Sequence, residues 1–128
     1  MSHSRAVRRH ATRLEIGAGL RIDVVAGPGL VALPSAVERA AHRIAVEALT
    51  NAARHAGATR CDVTLERRDD ALHLTVADDG SGLPAVPGEG VGLTAMRGRA
   101  AELGGHCEWR ERPGGGTLVY SRLPLSSR

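Results

Sequence analysis

Ala71-Leu72-His73-Leu74-Thr75-Val76-Ala77-Asp78-Asp79-Gly80-Ser81-Gly82 is the stretch on which the fold turns. Side chains alternate between two faces in a strand, so Leu72, Leu74, Val76 and Asp78 share one of them. Asp78 then points toward the core side of a sheet, where a carboxylate needs a partner. Gly80 and Gly82 break the strand. An Asp-Gly pair is often hairpin punctuation, but the next segments are a loop and a helix, not a matching strand.

Working backward, Cys61–Arg67 reads as a partner strand, joined through a tight turn at Arg68-Asp69-Asp70. Before it, Ala36 to about Ala56 is helical: Val37, Ala41, Ile44, Ala45, Ala48 and Ala52 fall on one face at 3.6 residues per turn, and Gly57 is a natural stop. Ser35 is the expected N-cap, with Glu38 completing a capping box. Leu20 to Val24 alternates as a strand, and Gly27-Pro28-Gly29 ends it. Working forward, residues 79–90 are rich in Gly and Pro and read as a loop. A second helix runs from about Val91 to Leu103 and stops at Gly104-Gly105. His106–Arg112 and Thr117–Leu123 form a closing hairpin around a Pro113–Gly116 turn. Residues 1–13 are an Arg-rich lead-in, flexible or helical, and 14–128 form one domain. The order strand, helix, two strands, helix, two strands predicts an α/β two-layer sandwich, a mixed, largely antiparallel sheet with helices on one face.

Composition agrees. The chain has 128 residues, enough for one core but not comfortably two. It lacks Phe, and Trp109 and Tyr120 are its sole aromatics, so the core is aliphatic and little is available for stacking on bases. Despite a formal charge of +3, this argues against a nucleic-acid-binding domain. Cys61 and Cys107 are too few and too far apart for a metal or disulfide signature, and a reduced, cytoplasmic setting is the simpler expectation. No apolar run approaches a bilayer span, so no membrane contact is expected of this domain.

The polar residues form a constellation suited to a nucleotide. Glu47 and Asn51 are four apart on the first helix, Arg54 lies three further on, and the stripe borders the apolar face. The amide oxygen of Asn51 can complete an octahedral Mg²⁺ shell otherwise made of phosphate oxygens and water. Glu47 can act through that shell or take a proton from the attacking group. Arg54 can pair with a phosphate. Asp78 can accept from an exocyclic amino group, selecting adenine over guanine, while Gly80 and Gly82 let backbone approach the base or sugar. Gly90-Val91-Gly92-Leu93 sits where a loop enters a helix, a place suited to phosphate. It is not a Walker A loop, and the Rossmann fingerprint fails because the required βαβ frame is missing. Thr117, past a glycine turn, can add a hydroxyl near the base.

Taken in order, these segments resemble the ATP-binding domain shared by gyrase, Hsp90, histidine kinases and MutL (the GHKL superfamily, with its Bergerat-type fold). His42 to Ala56 resembles the N box, Asp78-Asp79-Gly80-Ser81-Gly82-Leu83-Pro84 the first glycine box, and Gly90-Val91-Gly92-Leu93-Thr94-Ala95-Met96-Arg97 the second. The run from Gly90 to Gly105, with Pro113 to Thr117 and Leu123-Pro124-Leu125, is similar to NarL/DesK-type sensor histidine kinases. The resemblance implies ATP and Mg²⁺ as cofactors. It gives Asn51 the metal and Glu47 the role of helper or base. Asp78 would read adenine, Gly80 and Gly82 border the base, Gly90 and Gly92 face the phosphates, and Thr117 sit near the adenine. Residues 83–89 would be a short ATP lid, and His55 a packed structural residue. It further implies a two-component histidine kinase whose partners are a phosphoacceptor-His dimerisation domain and a response regulator, in a parent that can be membrane-anchored. None of His3, His10, His42, His55, His73 or His106 stands in an acceptor setting, so the acceptor lies elsewhere. Alternatives are an anti-sigma-factor serine kinase, or a non-catalytic nucleotide-gated module.

Overall fold

The Asp69-Asp70 turn organises the centre of the sheet. Both residues adopt left-handed backbone, with φ of 54° and 57°, the conformation of a two-residue hairpin turn whose twist matches its strands. It joins β2 (Arg60–Arg68) to β3 (Ala71–Asp78) in antiparallel register, pairing Cys61 with Asp78 and Leu65 with Leu74. A computed structural model of the chain describes residues 20–28, 30, 33–54, 57–80 and 93–126. The lead-in over 1–13, residues 81–92 with the expected lid, and His55 lie outside the described residues.

Around this hairpin, β1 (Arg21–Ala26), β4 (His106–Glu111) and β5 (Thr117–Pro124) complete a five-stranded sheet of order β1-β2-β3-β5-β4. β1 is parallel to β2 and the other pairings are antiparallel. Helix α1 (Ser35–Arg54) links β1 to β2, and α2 (Leu93–Glu102) packs on β4 and β5. Both helices lie on one face of the sheet, the two-layer α/β sandwich that the element order predicts.

The topology corrects one expectation. The parallel β1-α1-β2 unit is a βαβ crossover, and β3 and β4, both antiparallel to β5, form a second one split by β5. A βαβ frame is therefore present. What distinguishes this sheet from a dinucleotide fold is the antiparallel β2-β3 pair and the insertion of β5.

All six apolar positions expected on α1 are buried, as are Ala40 and Leu49. They pack against fully buried Leu65, Leu72 and Leu74 from the sheet and Met96 and Ala100 from α2. The helix start differs by one residue from its expected cap. The Glu38 N–H donates to the Pro34 carbonyl at 3.0 Å, so Pro34 takes the cap position and Ser35 is the first helical residue. At the other helix, Gly104 (φ 75°) and Gly105 donate to the carbonyls of Ala101 and Ala100, the paired bonds of a Schellman stop.

β3 is buried on both faces, which its alternation did not announce. On the side away from the helices, His73 is covered by Tyr120 and Arg68. Its Nε2 lies 3.1 Å from the Arg68 carbonyl and so carries the proton, leaving Nδ1 to accept from the Tyr120 hydroxyl at 2.7 Å. With its neighbours on either side, β3 is the rigid centre strand, and Asp78 is its last residue.

Candidate functional site

Asp78 is fixed from three directions. Cross-strand neighbours Cys61 and Thr117 flank it in β2 and β5, and Gly80 turns back so that its N–H donates to Asp78 Oδ1 at 2.7 Å. Directly opposed residues in an antiparallel pair share a face, so the Thr117 hydroxyl lies beside the Asp78 carboxylate on the helix side. Both side chains are buried. Burial raises the Asp78 pKa above the ordinary carboxylate value, against the lowering effect of backbone N–H donation from Gly80 and Thr117. A desolvated carboxylate at a strand end favours a ligand that brings its own hydrogen-bond donors.

The glycine turn does more than close the hairpin. Gly115 donates to the Arg112 carbonyl at 3.0 Å, and the Arg112 N–H donates to the Gly116 carbonyl at 2.9 Å, so the expected turn is present. Gly116, however, is buried, has φ of 107°, and presses on the Asp78 backbone so closely that an added Cβ would collide with the Asp78 carbonyl. The sequence signals the turn but not this contact, because the contact depends on the Asp78–Thr117 register.

Asp79, to which local sequence assigns no role of its own, is a clasp. Its Oδ1 accepts from the N–H groups of Thr59 and Arg60 at 2.8 and 3.0 Å, and its Oδ2 from the Thr59 hydroxyl at 2.6 Å. The clasp ties the end of β3 to the segment between α1 and β2. The Thr59 hydroxyl and the two N–H groups hold the Asp79 pKa down at about 2 from 3.8. A depressed carboxylate pKa stabilises the folded state above the unfolded value, and that contribution is lost as pH falls toward the folded value. Asp79→Ala is expected to lower the melting temperature at neutral pH and to flatten its acid dependence between 3.8 and about 2; scanning calorimetry at several pH values checks both.

The C-terminal part of α1, with Asn51, leads through residues 57–59 into the start of β2, beside Asp78 in register. Asn51 and Glu47 are both half-buried at the rim of the apolar face, as the stripe predicts. Glu47 lines a groove of about 370 Å³ together with Ala95 and Met96 of α2. The structure thus groups Asp78, Gly80 and Thr117 at one end of the sheet, and places Glu47 between α1 and the first turns of α2. Leu93, the fourth residue of the Gly90-Val91-Gly92-Leu93 motif, opens α2 and packs half-buried against the core. Gly82, Gly90 and Gly92 fall outside the described residues, and of Arg54 only its place at the end of α1 is described.

The chemistry of these groups fits Mg²⁺·ATP. Glu47 and Asn51 offer oxygen donors one turn apart, and the described residues hold no cluster of three His, Cys, Asp or Glu able to retain a metal by themselves. An ion there would draw its remaining ligands from phosphate and water. At the other end, the Asp78 carboxylate is an acceptor of the kind that an exocyclic amino group could use. The buried cysteines are not part of this chemistry: burial pushes the Cys61 thiol up to about 12 and raises Cys107.

Known proteins resemble the chain over most of its length. Residues 36–127 match the family model described as histidine kinase-, DNA gyrase B- and HSP90-like ATPase. The nitrate/nitrite sensor protein NarX of Escherichia coli is 37% identical over 82% of the chain, and the sensor histidine kinase LnrJ of Bacillus subtilis 32% identical over 87%. The chain spans only 18% and 28% of their lengths. Among solved structures, the blue-light-activated histidine kinase of Erythrobacter litoralis aligns over the whole chain, covering 43% of its own, with a TM-score of 0.80 and 28% identity. The catalytic domain of histidine kinase ThkA aligns over all of this chain and 96% of its own, with a TM-score of 0.79; at 13% identity it speaks to the fold alone. With the family model covering both helices and four of the five strands, the chain belongs to the histidine kinase-, DNA gyrase B- and HSP90-like ATPase family.

Proposed function

We propose that this chain is the ATP-binding catalytic domain of a two-component sensor histidine kinase, which presents Mg²⁺·ATP to a histidine on a dimerisation domain outside the chain, with a response regulator downstream. The observation that carries the reading is the buried Asp78 carboxylate, held by Gly80 and flanked by Thr117 at the end of the central strand. The sensor relatives support the kinase over the anti-sigma-factor alternative. No described helix is long and apolar enough to cross a membrane.

Phosphoryl transfer depends mainly on positioning and charge neutralisation, so the chain's residues act by holding and orienting. Bound Mg²⁺ would supply charge neutralisation at the phosphate oxygens. Asp78 accepts from the adenine amino group, and the Thr117 hydroxyl borders the same edge. Asn51 would hold the metal through its amide oxygen. Glu47 is placed to orient the incoming imidazole or take its proton. By the resemblance Gly90 and Gly92 would face the phosphates, and the N-terminus of α2 would suit the same negative charge. Arg54 adds a positive charge at the end of α1.

The test is Asp78→Asn with calorimetric titration of ATP and GTP. Losing acceptance by a charged group costs roughly 1.5–3 kcal/mol, so ATP affinity is expected to fall about 10–100-fold with little change for GTP. Equal losses for both nucleotides would overturn base reading by Asp78. In the wild type, acidification should weaken ATP binding above the ordinary carboxylate range, because burial raises the pKa of Asp78 and its protonated form is the weaker acceptor for the adenine amino group.

A further inference from the structure

Among the described residues, one ion pair of the sheet reaches much further than its neighbours. Arg21 with Asp23, Arg68 with Glu66 and Arg110 with Glu108 each join residues two apart on one strand. Arg60 joins Asp62 in the same way and also meets Asp23 on adjacent β1. Nη2 of Arg112, by contrast, lies 3.8 Å from Oδ2 of Asp62. Arg112 follows the last residue of β4 at one edge of the sheet, whereas Asp62 stands on β2, with β5 and β3 between them. The β4–β5 turn therefore folds over the end of β3. Asp62 pairs in register with Ala77, the residue before Asp78, and Ala77 is buried although no helix covers that face. A residue this small leaves room for a side chain to cross. The backbone of Arg112 is engaged as well: its N–H donates to the Gly116 carbonyl at 2.9 Å, and its carbonyl accepts from Gly115 at 3.0 Å. Gly116 presses on the Asp78 backbone, and Thr117 is the cross-strand neighbour of Asp78.

We propose that Arg112 is a positioning residue for the base site: it straps the β4–β5 turn across the end of β3 and so fixes where Gly116 and Thr117 stand against Asp78. Its effect on nucleotide rests on the proposed base reading by Asp78, whereas the strap itself does not. The far end of the strap is anchored, since Arg60 Nε holds Asp62 at 3.3 Å and the Arg60 N–H is bonded to Asp79. The Arg112 and Asp62 side chains are 32% and 33% exposed, so the pair contributes little stability, and its effect is on geometry. Arg112 also brings a positive charge near Asp78, which lowers its pKa against the raising effects of burial and of Asp79. Among the other neighbours of Asp78, Cys61 on β2 and Thr117 on β5 carry no charge. Glu111 of β4 lies in the same cross-strand row, and the C-terminal half of α1 carries Glu47 and Arg54.

The test compares Arg112→Gln and Arg112→Lys with Arg110→Gln, a control whose partner Glu108 lies on its own strand. Without nucleotide, Arg112→Gln should displace the amide resonances of Gly116 and Thr117, and Arg110→Gln should leave them near their wild-type positions. Asp62→Asn should give the same displacement, and combining it with Arg112→Gln should add nothing further. ATP affinity of Arg112→Gln at neutral pH should fall roughly three- to tenfold, while the melting temperature drops by less than about 4 °C. Its acid limb of ATP binding should move to higher pH, because Asp78 loses a charge that favours its ionised form. Loss of a merely structural contact would not move that limb, and Arg112→Lys should restore it. Wild-type ATP affinity and pH profile in Arg112→Gln would overturn the proposal, as would effects no larger than those of Arg110→Gln. The amide resonances report the strap without nucleotide, whereas Asp78→Asn with ATP and GTP reports the base reading, so a failure of either is distinguishable from a failure of the other.

Discussion

Asn51→Ala is expected to abolish the Mg²⁺ dependence of ATP binding while leaving the fold intact. Asn51 lies half-buried at the rim of α1, outside the buried set of Ala48, Leu49 and Ala52, so truncation opens no cavity in the core. Alanine is also the best helix former, so α1 itself is not weakened. On the proposed role, the loss would be one oxygen ligand in a site whose described residues provide too few donors to hold an ion without the nucleotide. A charge-assisted contact of this kind is worth roughly 1.5–3 kcal/mol, or about 10–100-fold in affinity. The measurement is a pair of ATP titrations, with Mg²⁺ and with EDTA. Wild type should bind more tightly with the metal, and the variant should give the same affinity in both. A variant that keeps the full Mg²⁺ enhancement would remove Asn51 from the metal site.

Gly116→Ala should produce a large loss of stability, and should reduce ATP affinity with it. Left-handed backbone at φ of 107° is strained for alanine, and the new Cβ collides with the Asp78 carbonyl. Strain of this kind costs about 1–3 kcal/mol and overpacking a similar amount. For a domain near this size each kcal/mol lowers the melting temperature by roughly 4 °C. The obstacle is backbone, so relief comes only by moving β5 away from β3, and that displaces Thr117 from Asp78. Gly114→Ala is the matched control. Gly114 also has positive φ, at 88°, but nothing lies within 4 Å of its added Cβ, so it reports backbone strain without the collision. Thermal melts and ATP titrations of the two variants separate the effects. Similar ATP affinity in both would show that Gly116 does not position Asp78.

Much of the architecture was legible because its signals are local. The apolar spacing from Val37 to Ala52 places α1, the alternation of Leu72, Leu74 and Val76 places β3, and Gly104 stops α2. Asp78 stood out for the same reason, as a carboxylate in phase with a buried stripe. The Asp79 clasp was illegible: its partners Thr59 and Arg60 are 20 and 19 residues away, and no spacing rule joins them. The burial of His73 was equally hidden, since it depends on Tyr120 from a strand that is distant in sequence.

Periodicity, element order and the residue types that suit Mg²⁺·ATP are properties of the amino-acid order alone, because helix and strand periods act over a few residues. The strand order β1-β2-β3-β5-β4, the contact of Gly116 with Asp78 and the groove between α1 and α2 exist only once the chain is folded. Those depend on which distant segments share a register or a face, and that choice is made by burying one common core rather than by any local preference.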